Sequence, residues 1–220
     1  GIYIFSTAYL YASLIADAEA ENSAHDFGKD IVPKSISTCN AHAYPFQDSK
    51  GNTAYWRDVG TIDSYWKANM ELCEVEPELN LYSRDWPIWT YQTQHPPAKF
   101  VFDDENVRGM AIDSLVSGGC ILSGASVKRS VIFFATEIER GTVIKDSVVL
   151  PKVSIGRNCR ITRAIIDKAC RIDDGTIIGE DIEEDRKRFH VTETGIVLVT
   201  PEMLDQHLYV VDKEMLKELA

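Results

Sequence analysis

Three absences from this 220-residue sequence exclude large classes of protein. No stretch approaches about 18 uninterrupted apolar residues, so the sequence predicts no transmembrane helix. Its 23 Lys and Arg residues are outnumbered by 34 Asp and Glu residues, and no basic stripe appears, so we expect no nucleic-acid partner. The five cysteines include no CxxC pair and no metal-ligand spacing. Their odd number predicts reduced thiols and a cytoplasmic location.

The apolar residues between Leu115 and Ile182 repeat every 17 positions over four cycles. Within a cycle they are separated by 6, 6 and 5 residues, which matches neither the helical period of about 3.6 nor the strand period of about 2. The pattern predicts a β-helix with three short strands per turn and one branched aliphatic side chain per side pointing inward. The alternative, a β-sandwich, would need this spacing to be coincidental. The apolar columns are Leu115, Ile132, Val149 and Ile166; Ile121, Ile138, Ile155 and Ile172; and Val127, Ile144, Ile161 and Ile178.

A fourth column supports the same architecture, because it contains Gly124, Gly141, Asn158 and Gly175. A corner that needs a left-handed backbone conformation accepts Gly without strain and Asn with little. This column therefore predicts one corner of each coil.

Histidine is absent from the repeat, since the five histidines lie at positions 25, 42, 95, 190 and 207. Many β-helical proteins of this coil length resemble trimeric acyltransferases, which need a histidine at a coil corner as general base. Acyl transfer is therefore not expected.

The rest of the chain has the strand and helix alternation typical of an α/β sheet. We predict a buried strand at 1–5, a helix over about 8–19 capped by Thr7, and a second helix after residues 25–30 with Pro33 in its first turns. Further predictions are strands at 41–46 and 55–59, a polar turn at 48–52 and a helix at 62–73. After the repeat we expect a strand at 195–200 and a closing helix from Pro201, with an apolar stripe of Met203, Leu204, Leu208, Val211, Met215 and Leu216.

Two short segments contain candidate binding residues, His-Asp-Phe-Gly-Lys-Asp at 25–30 and Tyr-Trp-Arg-Asp-Val-Gly-Thr at 55–61. Asp58 would end a strand at the carboxyl edge of a sheet, where α/β proteins bind ligands and where one carboxylate suits Mg²⁺. From the residues alone, Asp58 could equally be a turn or cap residue. Asp26 and Lys29 could simply begin a helix, and Tyr55 and Trp56 are more often core residues.

Over residues 1 to about 204 the sequence resembles the glucose-1-phosphate adenylyltransferase family. The two segments above match that family, and His-Asp-Phe-Gly is the more specific of them. Further matching segments are Tyr-Trp-Lys-Ala-Asn at 65–69, Pro-Pro-Ala-Lys-Phe at 96–100, Ser-Leu-Val-Ser-Gly-Gly-Cys at 114–120 and Glu-Glu-Asp-Arg-Lys-Arg-Phe at 183–189.

This resemblance implies the C-terminal edge of an α/β nucleotidyltransferase domain followed by a left-handed parallel β-helix, in a cytoplasmic homotetramer. It implies a division into 1–83 (nucleotidyltransferase part), 84–110 (linker) and 111–220 (β-helix with C-terminal strand and helix). The implied reaction transfers AMP from ATP to glucose 1-phosphate with Mg²⁺, giving ADP-glucose for glycogen and pyrophosphate. Asp58 matches a metal-binding aspartate, and Asp26, Phe27 and Trp56 match positions lining the glucose-1-phosphate pocket.

The family's glycine-rich nucleotide loop, basic triphosphate contacts, first metal aspartate and sugar-phosphate lysine have no counterpart in residues 1–220. We therefore expect a C-terminal portion that contains no catalytic residue and does not turn over substrate alone. The alternative is a non-catalytic regulatory or assembly subunit that uses the β-helix for oligomerisation.

Binding of an anionic allosteric effector is doubtful on the same comparison, because Pro201 and Asp205 occupy positions of effector-binding arginines in some relatives. Lys168 replaces another such arginine and lacks its bidentate fork. The remaining candidate effector-binding residues are Arg160, Arg163 and Lys168.

Overall fold

The computed structural model describes residues 2–47, 51–84, 87–89, 92–104 and 107–206. The chain forms two compact units, Gly1–Ala54 and Tyr55–Ala220, and each is described by itself. No helix among the described residues is long and apolar enough to cross a membrane.

The first unit is helical in its described part. Helix α1 spans Thr7–Ala18, and a π-helical turn at Phe27–Ile31 continues into helix α2 at Val32–Thr38, with Pro33 in its first turn. Both helices were predicted, but α1 begins after Ser6, so Thr7 is its first residue rather than its cap.

The strands predicted at 1–5 and 41–46 were wrong for the described residues. Residues 2–6 and 41–46 have no strand assignment, and Ile2 and Ile4 are 90% and 98% exposed. Among the described residues of this unit, the only β pairing is an isolated antiparallel bridge between Gln47 and Thr53. A strand needs a neighbour for its backbone groups, and the described part of this unit supplies none. Most of the predicted turn at 48–52 lies outside the described residues.

The second unit begins with an irregular segment at 55–61, so the strand predicted at 55–59 was also wrong. Helix α3 follows at Ile62–Glu71, as predicted. It begins with a capping box in which Thr61 Oγ1 accepts the Ser64 N–H and Ser64 Oγ accepts the Thr61 N–H.

A parallel β-helix forms the rest of the second unit and confirms the predicted solenoid. Its strands stack on three faces. The first face contains Lys99–Val101, Ile121–Ser123, Glu137–Ile138, Ser154–Ile155 and Arg171–Ile172. The second face contains Met110–Ile112, Ser126–Lys128, Val143–Lys145, Arg160–Thr162 and Ile177–Ile178. The third face contains Leu115–Val116, Val131–Ile132, Val148–Val149, Ala164–Ile166 and Val197–Val199.

The interior of the β-helix matches the predicted columns except in its first full coil. Ile138, Ile144 and Ile155 are at most 1% exposed and stack in register with their column neighbours. In the first coil, however, Val116 pairs with Ile132, and Leu122 pairs with Ile138. The assignments of Leu115 and Ile121 to the interior were therefore wrong. Leu115 and Ile121 each stand beside a second apolar residue, so the repeat alone could not show which of the two faces the interior. The spacing in this coil is one residue shorter than in the following coils.

All three corners of each coil use a left-handed backbone conformation. The glycine and asparagine column has φ between 55° and 77°, as predicted. The second set of corners uses Gly119, Ala135, Lys152 and Ala169, and the third uses Asp113, Arg129, Asp146 and Arg163. Most residues in these two sets are not glycine, although each such residue adopts this conformation at a cost of about 1–2 kcal/mol. Because glycine is mostly missing, the sequence does not mark these corners.

Buried hydroxyl groups satisfy the backbone beside one set of corners. Ser130 Oγ donates to the Lys128 carbonyl and accepts the Ser147 N–H from the next coil. Ser147 Oγ in turn donates to Lys145 O and accepts the Ala164 N–H. Ser130 and Ser147 thereby bond buried backbone groups that turn away from the sheets, and this series of hydroxyl residues ends at Ala164 in the next coil.

The two ends of the β-helix differ from the prediction in detail. The strand Lys99–Val101 pairs with Ile121–Ser123, so the solenoid begins inside the segment 84–110 predicted as a linker. A short hairpin joins Asp103–Asp104 to Val107–Arg108.

Helix α4 at Ile182–Arg186 and the antiparallel strand His190–Val191 precede the final strand at the C-terminal end of the β-helix. Where a helix was predicted from Pro201, the described residues instead form a 3₁₀ turn at Glu202–Leu204, which ends at Asp205 with a φ of +54°. The rest of the predicted closing helix, including Leu208, Val211, Met215 and Leu216, lies outside the described residues.

Helix α3 covers the outer side of the third face. Met70 packs with Val131, Val148, Ile165 and Ile196, all at most 6% exposed. This burial explains why the strands of the third face are apolar on both sides, whereas Glu137, Ser154 and Arg171 point to solvent on the first face.

We predict that Leu122→Ala lowers the free energy of unfolding by about 2–5 kcal/mol, because Leu122 is fully buried in the interior column. The matched variant Ile121→Ala should lower it by less than about 1 kcal/mol, because Ile121 is 36% exposed and points outward. Urea denaturation of the 220-residue chain measures both. Equal losses, or a larger loss for Ile121→Ala, would contradict this register.

Candidate functional site

Asp26 is the N-cap of the helical turn Phe27–Ile31. Its Oδ1 accepts the Gly28 N–H at 2.7 Å and the Lys29 N–H at 2.9 Å. The structure gives Oδ2 no hydrogen bond to a described residue. One oxygen of the carboxylate therefore holds the turn, and the other can accept a hydrogen bond from a ligand.

His25 holds the backbone that leads into this cap. Its φ is +54°, which is uncommon outside glycine, and its Nδ1 lies 3.0 Å from Asp17 Oδ2. Ser23 Oγ donates to Asp17 Oδ1 at 2.6 Å and accepts the His25 N–H at 3.0 Å. The hydrogen bond from Ser23, followed by that from His25, lowers the pKa of Asp17 below its ordinary value, so this carboxylate stays ionised.

Phe27 is exposed to 38% of its surface and contacts other aromatic rings of the first unit. It stacks on Tyr3, with centroids 6.1 Å apart, and meets Phe5 at a tilt, with centroids 6.0 Å apart. These contacts fix the ring while one part of it stays accessible.

Trp56 is 58% exposed, contrary to the more common role of tryptophan in a core. Its neighbour Arg57 is fixed by ion pairs to Glu71 at 3.1 Å and to Glu78 at 2.5 Å, and its guanidinium lies 4.9 Å from the centroid of the Tyr55 ring. These hydrogen bonds, to Glu78 first and then to Glu71, raise the pKa of Arg57. The anchored Arg57 ties the irregular segment to the end of α3.

Asp58 lies in the same segment and is exposed. Its Oδ1 accepts the Gly60 N–H at 3.2 Å, and a side chain at Gly60 would meet this oxygen at 3.3 Å. Asp58 is therefore a turn residue, and the same carboxylate remains the candidate metal ligand. Its Oδ2 has no hydrogen bond to a described residue. One accessible carboxylate oxygen fits Mg²⁺, which usually takes one or two carboxylates from protein.

The described residues contain no group of three or more His, Cys, Asp or Glu side chains that could hold a metal ion. Asp58 alone would supply one ligand and no complete site. Asp26 and Phe27 belong to the first compact unit, whereas Trp56 and Asp58 belong to the second.

The three candidate effector residues occupy different parts of one coil. Arg160, on the second face, makes an ion pair with Glu180, whose carboxylate oxygens both lie 3.0 Å from Nε. Arg163 lies at the next corner, donates to Thr194 O at 2.8 Å and lies 5.2 Å from the Trp66 ring centroid. Lys168 is exposed beyond the third-face strand. Arg160 and Arg163 therefore have protein partners, and their role toward an effector stays a prediction.

One polar contact was missed by the sequence analysis. Asp63 Oδ1, in the first turn of α3, accepts hydrogen bonds from the hydroxyls of Thr192 and Thr194 near the C-terminal end of the β-helix. The residues are 129 and 131 positions apart in the chain, so no local pattern could have paired them.

We predict that Arg160→Gln raises the pKa of Glu180 toward its ordinary value, because the hydrogen bond from Arg160 lowers that pKa. The pair stabilises the fold above the unfolded pKa of Glu, and this contribution disappears as the pH falls through the lower folded pKa. A carboxyl ¹³C NMR titration measures the midpoint. The control Arg171→Gln should leave it unchanged, and an unmoved midpoint in Arg160→Gln would contradict the ion pair.

Comparison with known proteins assigns both parts of the chain. The family model described as "Nucleotidyl transferase" matches residues 1–75, and that described as "GlmU-like, C-terminal hexapeptide" matches residues 96–199. The second match covers the β-helix from Pro96, three residues before its first strand.

Proteins named glucose-1-phosphate adenylyltransferase match nearly the whole chain. The protein of Thiobacillus denitrificans is 65% identical over 209 residues, which are 95% of this chain and 48% of the relative. Those of Hydrogenovibrio crunogenus and Methylococcus capsulatus are 60% and 59% identical over 96% and 95% of this chain, and 50% of each relative is covered. The chain thus spans about half the length of these relatives. With this identity across both of its parts, the chain belongs to the glucose-1-phosphate adenylyltransferase family.

Proposed function

We propose that this chain is the C-terminal portion of a cytoplasmic, homotetrameric enzyme that transfers AMP from ATP to glucose 1-phosphate. The products are ADP-glucose, used for glycogen, and pyrophosphate. The observation that carries the proposal is the exposure of Trp56 beside an anchored Arg57, in a segment that also contains Asp58. An exposed tryptophan on a fixed backbone offers an apolar face on which a sugar ring can stack.

The chain would bind the sugar phosphate rather than activate the nucleotide. Trp56 would stack on the glucose ring, and Asp26 Oδ2 would accept a hydrogen bond from a sugar hydroxyl. Phe27, fixed by Tyr3, would cover an apolar edge of the sugar and exclude water. Holding a sugar phosphate in line with the α-phosphorus of ATP supplies much of the rate in phosphoryl transfer.

Asp58 would contribute one carboxylate oxygen to Mg²⁺. A bound Mg²⁺ would neutralise negative charge that develops on the phosphates. Because Oδ1 also accepts the Gly60 N–H, the carboxylate is oriented before any ion binds. The residues 1–220 contain no glycine-rich nucleotide loop, so the chain by itself would be inactive.

A non-catalytic assembly subunit is the second candidate function. The β-helix supports it, since stacked coils give a rigid surface for contact between subunits. The adenylyltransferase proposal is favoured because 52–65% identity to the named enzymes extends through both candidate binding segments. An anionic effector bound by Arg160, Arg163 or Lys168 would be secondary, because the first two already have protein partners.

We predict that Asp58→Asn, in a polypeptide with the full length of the relatives, lowers kcat more than about tenfold at saturating Mg²⁺. Asn keeps the shape and the Gly60 hydrogen bond but lacks the charge that Mg²⁺ prefers. The melting temperature should change little. The control Asp113→Asn removes a charge at an exposed corner with φ +48°, which Asn accepts, and should keep wild-type kcat. Activity of Asp58→Asn within about threefold of wild type would contradict the metal role.

We predict that the 220-residue chain binds glucose 1-phosphate only at millimolar concentration, or about 4 kcal/mol, and does not bind ATP with Mg²⁺ at micromolar concentration. Saturation-transfer NMR detects the weak sugar complex, and calorimetry tests ATP. Trp56→Ala should abolish the sugar signal, whereas Trp89→Ala, at a tryptophan 90% exposed, should not. Micromolar ATP binding, or an unchanged sugar signal in Trp56→Ala, would contradict this assignment.

A further inference from the structure

Helix α3 and the segment that contains Trp56 and Asp58 are joined by contacts at both ends of the helix. The Thr61–Ser64 capping box fixes the residue at which the segment becomes a helix. The Arg57–Glu71 ion pair joins the same segment to the last residue of the helix. A rotation or shift of α3 would therefore move Trp56 and Asp58 with it.

Apolar packing alone does not determine the rotation of α3 on the β-helix. Met70 contacts the outer side chains of the third face, but burial of apolar surface is non-directional. The directional contacts lie elsewhere. Trp66 Nε1 donates to Asp146 O at 2.8 Å, and Arg163 joins Thr194 to the Trp66 ring.

Of these directional contacts, the one made by Asp63 is nearest in sequence to Trp56 and Asp58. Its Oδ1 accepts from Thr192 Oγ1 at 3.0 Å and also from Thr194 Oγ1. The turn that presents these hydroxyls is itself ordered, because Thr192 Oγ1 accepts the Ile196 N–H at 3.1 Å. Ile196 is buried, so the turn is anchored to the outer apolar layer.

We propose that Asp63 is a positioning residue for the glucose-1-phosphate site: it fixes the start of α3 to the Thr192–Thr194 turn and thereby places Trp56. This inference rests on the proposed function and assigns a role to the β-helix in it. Because Asp63 Oδ1 accepts hydrogen bonds from Thr192 and Thr194, we assign it a role through the backbone of the segment and not a contact with substrate or metal. Small displacements suffice, because a shift of about 1 Å in a positioned group can lower a rate about a hundredfold.

The kinetic test uses the full-length enzyme. Asp63→Ala should raise KM for glucose 1-phosphate about tenfold or more, because Trp56 moves, and should also lower kcat, because Asp58 moves with it. KM for ATP should stay within about twofold, because the glycine-rich nucleotide loop of the full-length enzyme is not part of this segment. Asp63→Asn keeps an oxygen that accepts both hydroxyls and should restore KM to within about threefold of wild type. Thr194→Val removes one donor and should raise the same KM, with no further increase when combined with Asp63→Ala.

The matched control is Glu193→Ala, because Glu193 lies between the two threonines and is exposed without a described partner. It should leave both KM values unchanged. An equal rise of both KM values in Asp63→Ala, or a rise in Glu193→Ala, would overturn the positioning role and indicate a general loss of structure.

Hydrogen exchange on the 220-residue chain separates this inference from the proposed function. Asp63→Ala should accelerate exchange of the hydrogen-bonded amides of Thr61, Ser64 and Tyr65 about tenfold, while those of Ile144 and Ile161 keep their protection. Unchanged exchange at Thr61, Ser64 and Tyr65 would overturn the inference. If exchange accelerates but the wild-type enzyme makes no ADP-glucose, or Trp56→Ala keeps the wild-type KM for glucose 1-phosphate, the proposed function fails. Asp63 would then only stabilise the position of α3 on the β-helix.

Discussion

The stacking of coils at backbone hydrogen-bonding distance is the constraint on which the described second unit depends. Each strand of two or three residues finds partners only in the coils before and after it, as Val143–Lys145 does between Ser126–Lys128 and Arg160–Thr162. The interior then has room for one branched side chain per face of each coil, and Ile144 and Ile155 are fully buried there. Keeping this register from coil to coil explains the 17-residue repeat, from which the first full coil departs by one residue.

The same stacking leaves backbone groups at the corners without partners in the sheets, and nearby side chains supply the missing hydrogen bonds. Three corners per coil turn backbone groups away from the sheets, and buried hydroxyls such as Ser130 and Ser147 bond them. The interior also contains the thiol of Cys170. Burial raises the pKa of this thiol to about 12, so the thiol stays protonated. The interior thus remains uncharged, as a narrow apolar column requires.

The candidate site depends on the outer surface of this scaffold. The third face is apolar outside as well as inside because α3 covers it, and α3 continues directly from the segment with Trp56 and Asp58. Sequence alone located that segment and its carboxylate, since the motif is local. It gave the wrong backbone there, predicting a strand, because strand pairing depends on a neighbour that no local pattern can specify.

The sequence by itself determined the solenoid, its period, the glycine and asparagine corner, and the positions of α1 to α3. These features follow from short-range chemistry: repeated inward aliphatics, left-handed turns and helix caps. Only the tertiary structure decided which member of the Leu115–Val116 and Ile121–Leu122 doublets faces inward, and that Asp63 meets Thr192 and Thr194. Register and long-range hydrogen bonds are set by which surfaces the whole chain brings together, and residues 129 positions apart in sequence leave no local record of that contact.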